Sequence, residues 1–103
     1  MLVILLALGV AVAGGDATKG EAIYTANCMA CHGQKADGKG PAAAALKPRP
    51  TDFTKADWWS GHDDGAIKAL IKSGKPGTSM MGFPQLNDKQ LDDLVAWMRS
   101  KAP

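Results

Sequence analysis

The sequence predicts an all-α domain made of three to five short helices and the loops that connect them. Apolar residues recur at helical spacing in two segments, residues 63–73 and residues 87–101. No segment shows the alternating apolar and polar pattern of a convincing strand. Glycine, proline, alanine and lysine are frequent in residues 34–52, which indicates loops there.

The first half of the chain has one clear helix signal. Asp16-Ala17-Thr18 is a plausible helix start, and the helix that follows is expected over about residues 19–26. It should then break into the segment that contains both cysteines. Residues 42–46 favour a short helical turn inside the glycine- and proline-rich region.

The second half has stronger start and stop signals. Gly74 follows the helix predicted over residues 63–73, as a C-terminal glycine commonly does. Asn87 and Gln90 form a capping-box pattern at the start of the last helix, which should run to about Lys101. The apolar stripe of that helix consists of Leu91, Leu94, Val95 and Met98.

Length and composition limit the possible functions. A chain of 103 residues forms one domain at most. Twelve basic and ten acidic residues give a formal net charge of +2, which is too even to favour nucleic acid or an anionic membrane as the main partner. Only six residues are aromatic. A large apolar prosthetic group would therefore help to fill the core of so small a domain.

The N-terminal segment is expected to be a signal peptide over residues 1–13, followed by a single domain over residues 14–103. Residues 1–13 read MLVILLALGVAVA, an uncharged apolar run that ends in a small-x-small cleavage pattern. The run is too short to span a bilayer as a helix. No basic residue precedes it, so retention as a membrane-surface anchor stays open as the alternative.

The two cysteines lie in Cys28-Met29-Ala30-Cys31-His32, the C-x-x-C-H signature of covalent haem c attachment. Two thiols three positions apart on a helical turn can both reach the vinyl groups on one edge of a porphyrin. The histidine that follows then projects its imidazole towards the iron. The motif predicts one haem c, attached through Cys28 and Cys31 and ligated by His32.

The two cysteines have three other interpretations. A disulfide is the usual state in an exported protein. A thioredoxin-like redox pair requires a β-α-β pattern, which is not found here. A zinc site would have to combine both cysteines with His32 and His62, and the histidine spacing does not match a zinc finger.

The second axial ligand is expected in a loop after residue 73. Met80 and Met81 stand side by side among glycines and prolines, and such a loop can wrap the far face of a haem. Met98 fits a helix core better, and His62 fits a solvated helix terminus. The residues alone leave both methionines open as the ligand. The alternative is that both side chains fill gaps in the core.

Taken together, these residues resemble a class I cytochrome c of the small bacterial kind, over the whole chain after the apolar start. The resemblance includes CMACHG, Gly40-Pro41, the methionine loop and a last helix that ends in LVAWMR. Ser79-Met80-Met81-Gly82-Phe83 stands where this family commonly has Ser-Met-Pro-Ala-Phe, with methionine at the usual proline position. The resemblance implies Met80 as the second iron ligand.

The same resemblance implies further roles. The carbonyl of Pro41 would accept the free N–H of the haem histidine. Gly20 and Tyr24 of the first helix would meet Leu94 and Trp97 of the last helix at close range.

The adjacent tryptophans Trp58 and Trp59 are expected next to the cofactor. One of them would line the haem pocket and donate its indole N–H to a propionate, while the other is partly exposed. Basic residues are expected around the haem edge, where they would steer an acidic partner or simply form a solvated surface. They are Lys35, Lys39, Lys47, Arg49, Lys68, Lys72 and Lys75.

The function that the sequence predicts is that of a periplasmic single-electron carrier, a monomer and not an enzyme. A Met/His pair fills both axial sites of the iron, which leaves no place for O₂ or peroxide. Redox proteins would dock transiently at the exposed haem edge near Cys28 and Cys31. A haem enzyme, a gas-binding protein and a subunit of a larger redox complex remain the alternatives.

Overall fold

The computed structural model describes residues 15–103, and the predicted signal peptide lies outside them. The chain order is α1 (Ala17–Asn27), α2 (Met29–His32), a 3-10 turn (Ala43–Ala45), α3 (Ala56–Ser60), α4 (Asp64–Ser73) and α5 (Asp88–Arg99). No strand occurs in the described part of the chain. The prediction of an all-α fold with three to five short helices is confirmed.

Side-chain caps fix where the three longer helices begin. The Asp16 carboxylate accepts hydrogen bonds from the backbone N–H of Thr18 at 2.9 Å and of Lys19 at 3.3 Å. Asp63 accepts from Ala66 at 2.8 Å at the start of α4. These bonds satisfy N–H groups that have no partner inside their own helix.

Helix α5 begins with the predicted capping box. The Asn87 side chain accepts from the Gln90 N–H at 2.8 Å, and the Gln90 side chain accepts from the Asn87 N–H at 2.9 Å. At the end of α4, Gly74 adopts φ +82°, a left-handed conformation that suits glycine. The Gly74 N–H donates to the Leu70 carbonyl at 2.7 Å and closes the helix.

Helices α1 and α5 cross at close range where Gly20 meets Asp93. A Cβ atom at Gly20 would overlap the backbone carbonyl of Asp93, so only glycine allows this approach. One turn further along, the Tyr24 and Trp97 rings lie 4.2 Å apart. Leu94 is fully buried in the same core. The predicted contact between the first and last helices is confirmed.

The short helix α3 was not predicted. Its N-cap position is Lys55, which makes no capping hydrogen bond with its side chain. Its five residues include two bulky tryptophans, which are not strong helix formers. Such a helix depends on packing of its side chains against the rest of the molecule, and no local signal announces it.

The core lies between α1, α4 and α5 and continues towards the cysteines. Its buried residues are Tyr24, Ala36, Phe53, Ile67, Ile71, Leu86, Leu91, Leu94, Val95, Trp97 and Met98. Within residues 15–103, no helix has the length and apolar character needed to cross a membrane.

Candidate functional site

A cavity of about 320 Å³ opens on the side of the molecule where α1 ends. This volume falls within the usual range for small-molecule and cofactor sites. Both cysteines, His32, Met80 and Met81 lie on its wall. The remaining lining residues are Tyr24, Ala26, Asn27, Leu46, Pro48, Arg49, Pro50, Thr51, Phe53, Ile71, Lys75, Thr78, Ser79, Phe83 and Met98.

A break between two helices places the cysteines. Helix α1 ends at Asn27, and the backbone turns at Cys28 before α2 begins. The Cys28 carbonyl accepts from the N–H of Cys31 at 3.3 Å and of His32 at 2.9 Å. This single turn brings Cys28, Cys31 and His32 to one wall of the cavity. The sequence predicts the two thiols on a helical turn, and residues 29–32 are helical.

The cysteines do not have the character of a reactive redox pair. Cys28 and Cys31 form no disulfide with each other, and both are half-buried. Burial, with a smaller contribution from Cys31, raises the pKa of Cys28 to about 11. Redox-active cysteines have lowered pKa values, because the thiolate is the nucleophile. The Cys28 thiol is therefore protonated at neutral pH.

The His32 ring is half-buried and held on two sides. Its Nδ1 atom lies 3.3 Å from the Thr51 carbonyl oxygen, and the Phe53 ring stacks on it at 4.9 Å with an angle of 21° between the planes. Burial lowers the pKa of His32, partly offset by the Thr51 carbonyl. The neutral imidazole is the form that binds a metal, and the carbonyl contact orients its other nitrogen.

The structure gives His32 a different partner from the predicted Pro41. Backbone bonds direct the Gly40-Pro41 segment towards the other residues of α2: the Gly40 N–H donates to the Cys31 carbonyl at 3.1 Å, and the Ala42 N–H donates to the Ala30 carbonyl at 2.9 Å. Pro41 itself is exposed. The carbonyl next to the imidazole therefore belongs to Thr51.

The methionine loop separates its two methionines. Met80 is half-buried and packs against the core, whereas Met81 has 69% of its surface exposed. The Met80 N–H donates to the Thr78 hydroxyl at 3.1 Å, and the Met80 carbonyl accepts from the Lys75 N–H at 3.1 Å. The backbone of Met80 is thus fixed from both sides at the cavity wall.

The ends of this loop are held close together. A Cβ atom at Gly74 would lie 2.6 Å from the Gly82 nitrogen. Glycine at both positions therefore allows the two ends of the loop to come into backbone contact. The Phe83 N–H donates to the Ile71 carbonyl at 2.9 Å. The loop therefore leaves α4 at Gly74 and returns to contact α4 at Phe83. Met80 and Met81 lie between these two points.

Neither Trp58 nor Trp59 is among the residues that line the cavity, and the predicted place of one of them beside the haem stays a prediction. Both are half-buried behind Phe53. The Trp59 indole N–H donates to the Phe53 carbonyl at 2.7 Å, so a protein carbonyl takes the bond that was predicted for a propionate. Trp58 contacts the edge of the Phe53 ring at 4.8 Å. Phe53, one of only two phenylalanines, occupies the predicted place of a tryptophan.

His62 also lies away from the cavity. Its ring stacks on Trp58 at 4.4 Å, and its Nδ1 atom lies 2.7 Å from the Trp58 carbonyl oxygen. In the described residues, no cluster of three or more histidine, cysteine or acidic side chains could hold a metal ion. The geometry gives no support to the zinc interpretation or to His62 as an iron ligand.

The basic residues predicted around the haem edge do not all lie at the cavity. Arg49 and Lys75 line the cavity. Lys68 instead forms an ion pair with Asp92 of α5 at 2.7 Å and lines a second surface pocket between α4 and α5. The other predicted rim residues are exposed: Lys35, Lys39, Lys47 and Lys72.

Two functional contacts were missed at the level of sequence. The Thr51 contribution is a backbone carbonyl, which no side-chain pattern can reveal. Phe53 stacks on His32 from outside the motif, and its isolated position in a loop gave no periodic signal. The chain has only six aromatic residues, and this small number was the one sequence feature that pointed to a role for Phe53.

The donors on the cavity wall fit a haem c. The set comprises two thiols, a neutral imidazole and a thioether, and most of the remaining wall is apolar. Thiols form the covalent links of haem c, and imidazole and thioether are the axial ligands of cytochromes c.

Known proteins agree with this interpretation. The family model described as cytochrome c matches residues 17–102. Cytochrome c6 of Limnospira maxima is 32% identical over 92 residues, which cover 85% of this chain and 96% of that protein. The structure of cytochrome c6 from the diatom Phaeodactylum tricornutum superposes with a TM-score of 0.61 at 25% identity, over 84% of this chain and 93% of that one.

Longer redox proteins contain a similar domain. Dihydro-heme d1 dehydrogenase of Pseudomonas aeruginosa is 35% identical over 108 residues, which cover all of this chain and 20% of that protein. This chain also spans only 26% to 31% of several oxidase subunits that it matches. The residues that line the cavity and the match to the family model show that the chain belongs to the cytochrome c family of electron-transfer proteins, which carry covalently bound haem c.

Proposed function

We propose that this chain is a single-electron carrier whose haem c is held by Cys28 and Cys31 and ligated by His32 and Met80. The observation that carries the proposal is that these four side chains line the same cavity, although Met80 lies far from the motif in sequence. The bound haem supplies a one-electron Fe(III)/Fe(II) couple.

Each residue has a separate task in this proposal. The cysteines fix the cofactor covalently, so that a small domain retains it. His32 offers a neutral imidazole, oriented by the Thr51 carbonyl and the Phe53 ring. Met80 offers a soft thioether, which favours the ferrous state and raises the reduction potential.

The proposed ligand set explains why electron transfer is favoured over catalysis. His32 and Met80 would hold the iron of the bound haem between them, and a substrate would then find no free coordination position. The two backbone hydrogen bonds of Met80 keep its segment at the cavity wall. The apolar lining around it excludes water from the site.

The cellular setting follows from the same proposal. We place the protein in the periplasm, with residues 1–13 as the signal peptide and residues 14–103 as the mature domain. A monomer would exchange electrons with redox proteins that dock transiently at the cavity mouth. Arg49 and Lys75 at that mouth favour an acidic partner.

A second candidate is a domain or subunit within a larger redox complex. It is favoured by the dehydrogenase and oxidase relatives, of which this chain matches only a part. Mild extraction followed by size-exclusion chromatography separates the two: a carrier elutes as a free monomer, and a subunit elutes with its complex.

The optical spectrum of the holoprotein tests the ligand set. We expect a low-spin spectrum in both oxidation states, with a weak long-wavelength iron–thioether band in the ferric form and no change on addition of carbon monoxide to the ferrous form. A high-spin ferric spectrum, or ready binding of carbon monoxide, would show an open iron. The carrier proposal would then give way to a gas-binding or enzymatic function.

A further inference from the structure

A continuous row of aromatic rings leads from His32 and Phe53, which line the cavity, to Trp58 and His62, which do not. Phe53 stacks on His32 at 4.9 Å, and Trp58 meets the edge of Phe53 at 4.8 Å. His62 then stacks on Trp58 at 4.4 Å with only 14° between the planes. We call Phe53, Trp58 and His62 the aromatic file.

Hydrogen bonds hold the aromatic file in place. The Trp59 indole N–H donates to the Phe53 carbonyl at 2.7 Å and ties α3 to the segment that carries Phe53. The His62 Nδ1 atom lies 2.7 Å from the Trp58 carbonyl oxygen, which fixes the last ring over the one before it. These contacts connect residues within positions 53–62 to one another by hydrogen bonds.

Such a file has a physical consequence for electron transfer. Electronic coupling decays more steeply across empty space than through bonds or through π systems in contact. Every gap along the aromatic file is a van der Waals contact, so no step crosses a void. His62 is only half-buried, so the file ends where solvent reaches it.

We infer that the aromatic file is a second electron route, which couples the His32 side of the site to the surface at His62, separately from the cavity mouth. The inference rests on the proposed ligation of the iron by His32. In each event one electron leaves an external one-electron donor and arrives at the ferric iron, and no bond forms or breaks and no proton moves. The file acts as a tunnelling bridge, and no ring is oxidised.

The surroundings of the tryptophans agree with a bridge of this kind. The Arg99 guanidinium lies 4.7 Å from the centre of the Trp59 ring, which contacts the edge of Trp58 at 4.8 Å. Arg99 is also paired with Asp64, and within this pair its guanidinium is the charged group next to the indole, where it opposes the positive charge of an oxidised ring. Trapping of the charge on this tryptophan pair is therefore disfavoured.

The test uses the chain's two histidines. With His32 on the iron, a photoactive ruthenium–bipyridine label attaches to His62 of the holoprotein as the one remaining histidine. Flash photolysis then gives the rate of electron transfer between label and haem. We expect Trp58→Leu to slow this rate by an order of magnitude or more and Trp58→Phe, which keeps a ring, to slow it less. The optical spectrum and the reduction potential should stay unchanged in both variants.

A matched label at the cavity mouth serves as the control. In the variant His62→Gln/Lys75→His the same label is attached beside the cavity, and Trp58→Leu should leave its transfer rate unchanged. Equal rates with and without Trp58 at the His62 label would overturn the route. Equal slowing at both labels would also overturn it, because the tryptophan would then act on the haem and not on a path.

The two proposals fail in distinguishable ways. Loss of His32 ligation appears in the spectrum of the labelled parent protein before any tryptophan is changed, and it would remove the end point of the route. A normal low-spin spectrum combined with a rate that does not depend on Trp58 would reject the route alone. If Trp58→Leu does not mature with haem, Trp58→Phe still gives a rate to compare.

Discussion

At the scale of single residues, Met80 and Met81 are neighbours with different surroundings. Met80 packs against the core with its backbone bonded on both sides, and Met81 is largely exposed. Local sequence could not separate them, because both follow the same turn-forming residues. Burial, which depends on the rest of the fold, distinguishes the two.

The methionine pair gives the first prediction. We expect Met80→Ala to abolish the iron–thioether band and to let the ferrous protein bind carbon monoxide, because it removes the proposed ligand. Met81→Ala is the matched control and should keep the parent spectrum. The measurement is the optical spectrum of each holoprotein with and without carbon monoxide. The reverse pattern would assign the ligand to Met81.

Asp93 is the one buried charged residue among residues 15–103. Its carboxylate accepts from the Asp16 N–H at 2.8 Å and from the Lys89 ammonium at 2.5 Å. These bonds, the backbone bond first, hold the pKa of Asp93 below its ordinary value. The carboxylate thus joins the start of α1 to the middle of α5.

The second prediction concerns acid stability. A lowered folded-state pKa stabilises the fold above the unfolded pKa of about 3.9, and this contribution is lost as the pH falls through the folded value. Asp93→Asn should therefore lower the free energy of unfolding at pH 7, by about 1–3 kcal/mol for a weakened buried hydrogen bond. The difference from the parent should shrink below pH of about 4.

Urea unfolding of the holoprotein across this pH range measures the effect. Asp92→Asn is the control, since Asp92 is only half-buried and its ion pair with Lys68 is near the surface. Such a pair contributes about 0–1 kcal/mol. A constant difference between Asp93→Asn and the parent from neutral to strongly acidic pH would contradict the proposed titration.

At the scale of elements, the crossing of α1 and α5 is the most extensive contact between helices in the described residues. Gly20 brings the two backbones together, and the Tyr24 and Trp97 rings pack beside the crossing. The Tyr24 hydroxyl also donates to the Gly33 carbonyl just after the attachment motif. The crossing thus supports the cavity wall that carries Cys28 and His32.

Gly20→Ala gives the third prediction. Alanine normally stabilises a helix interior by about 0.5–1 kcal/mol relative to glycine. At position 20 its Cβ would overlap the Asp93 carbonyl, so the helices must move apart. We expect a net loss in the free energy of unfolding of at least about 1–3 kcal/mol, the usual cost of overpacking.

Gly65→Ala is the control for this prediction. A Cβ atom at Gly65 would meet nothing closer than the Asp63 carboxylate at 3.5 Å, so the variant should be neutral or slightly more stable than the parent. Denaturant titration of both holoproteins measures the difference. Similar stabilities of Gly20→Ala and the parent would show that the crossing is looser than described.

At the scale of the whole molecule, charge is distributed unevenly around a small net value. Arg49 and Lys75 lie at the cavity, whereas Lys68 and Arg99 are paired with acidic residues between α4 and α5. A formal net charge of +2 alone would give weak steering. The two cations at the cavity mouth therefore place positive charge where a charged reagent would approach the site.

The fourth prediction follows from this distribution. Oxidation of the ferrous holoprotein by hexacyanoferrate(III), an anionic reagent, should slow several-fold in Lys75→Gln, because the mouth loses a cation. The effect should fade as salt is added, since screening shortens the range of attraction. Stopped-flow kinetics at two ionic strengths measure it. Lys68→Gln, which alters a paired lysine away from the mouth, should retain the parent rate.

The sequence alone determined the local features of this protein. The all-α class, the caps at Asp16, Asp63 and Asn87, and the C-x-x-C-H motif are all encoded within a few consecutive residues. Hydrogen bonds between close neighbours, helical periodicity and ligand spacing do not depend on distant parts of the chain. The predicted helices therefore agree with the observed bounds to within a few residues.

Only the tertiary structure decided which distant groups meet. It placed the Thr51 carbonyl and Phe53 beside His32, paired the Trp59 indole with the Phe53 carbonyl and brought Asp93 to the start of α1. A backbone carbonyl has no sequence signature, and stacking partners are chosen by packing of the whole core. Contacts between segments far apart in sequence arise only when the chain closes on itself, because their geometry depends on every element between them.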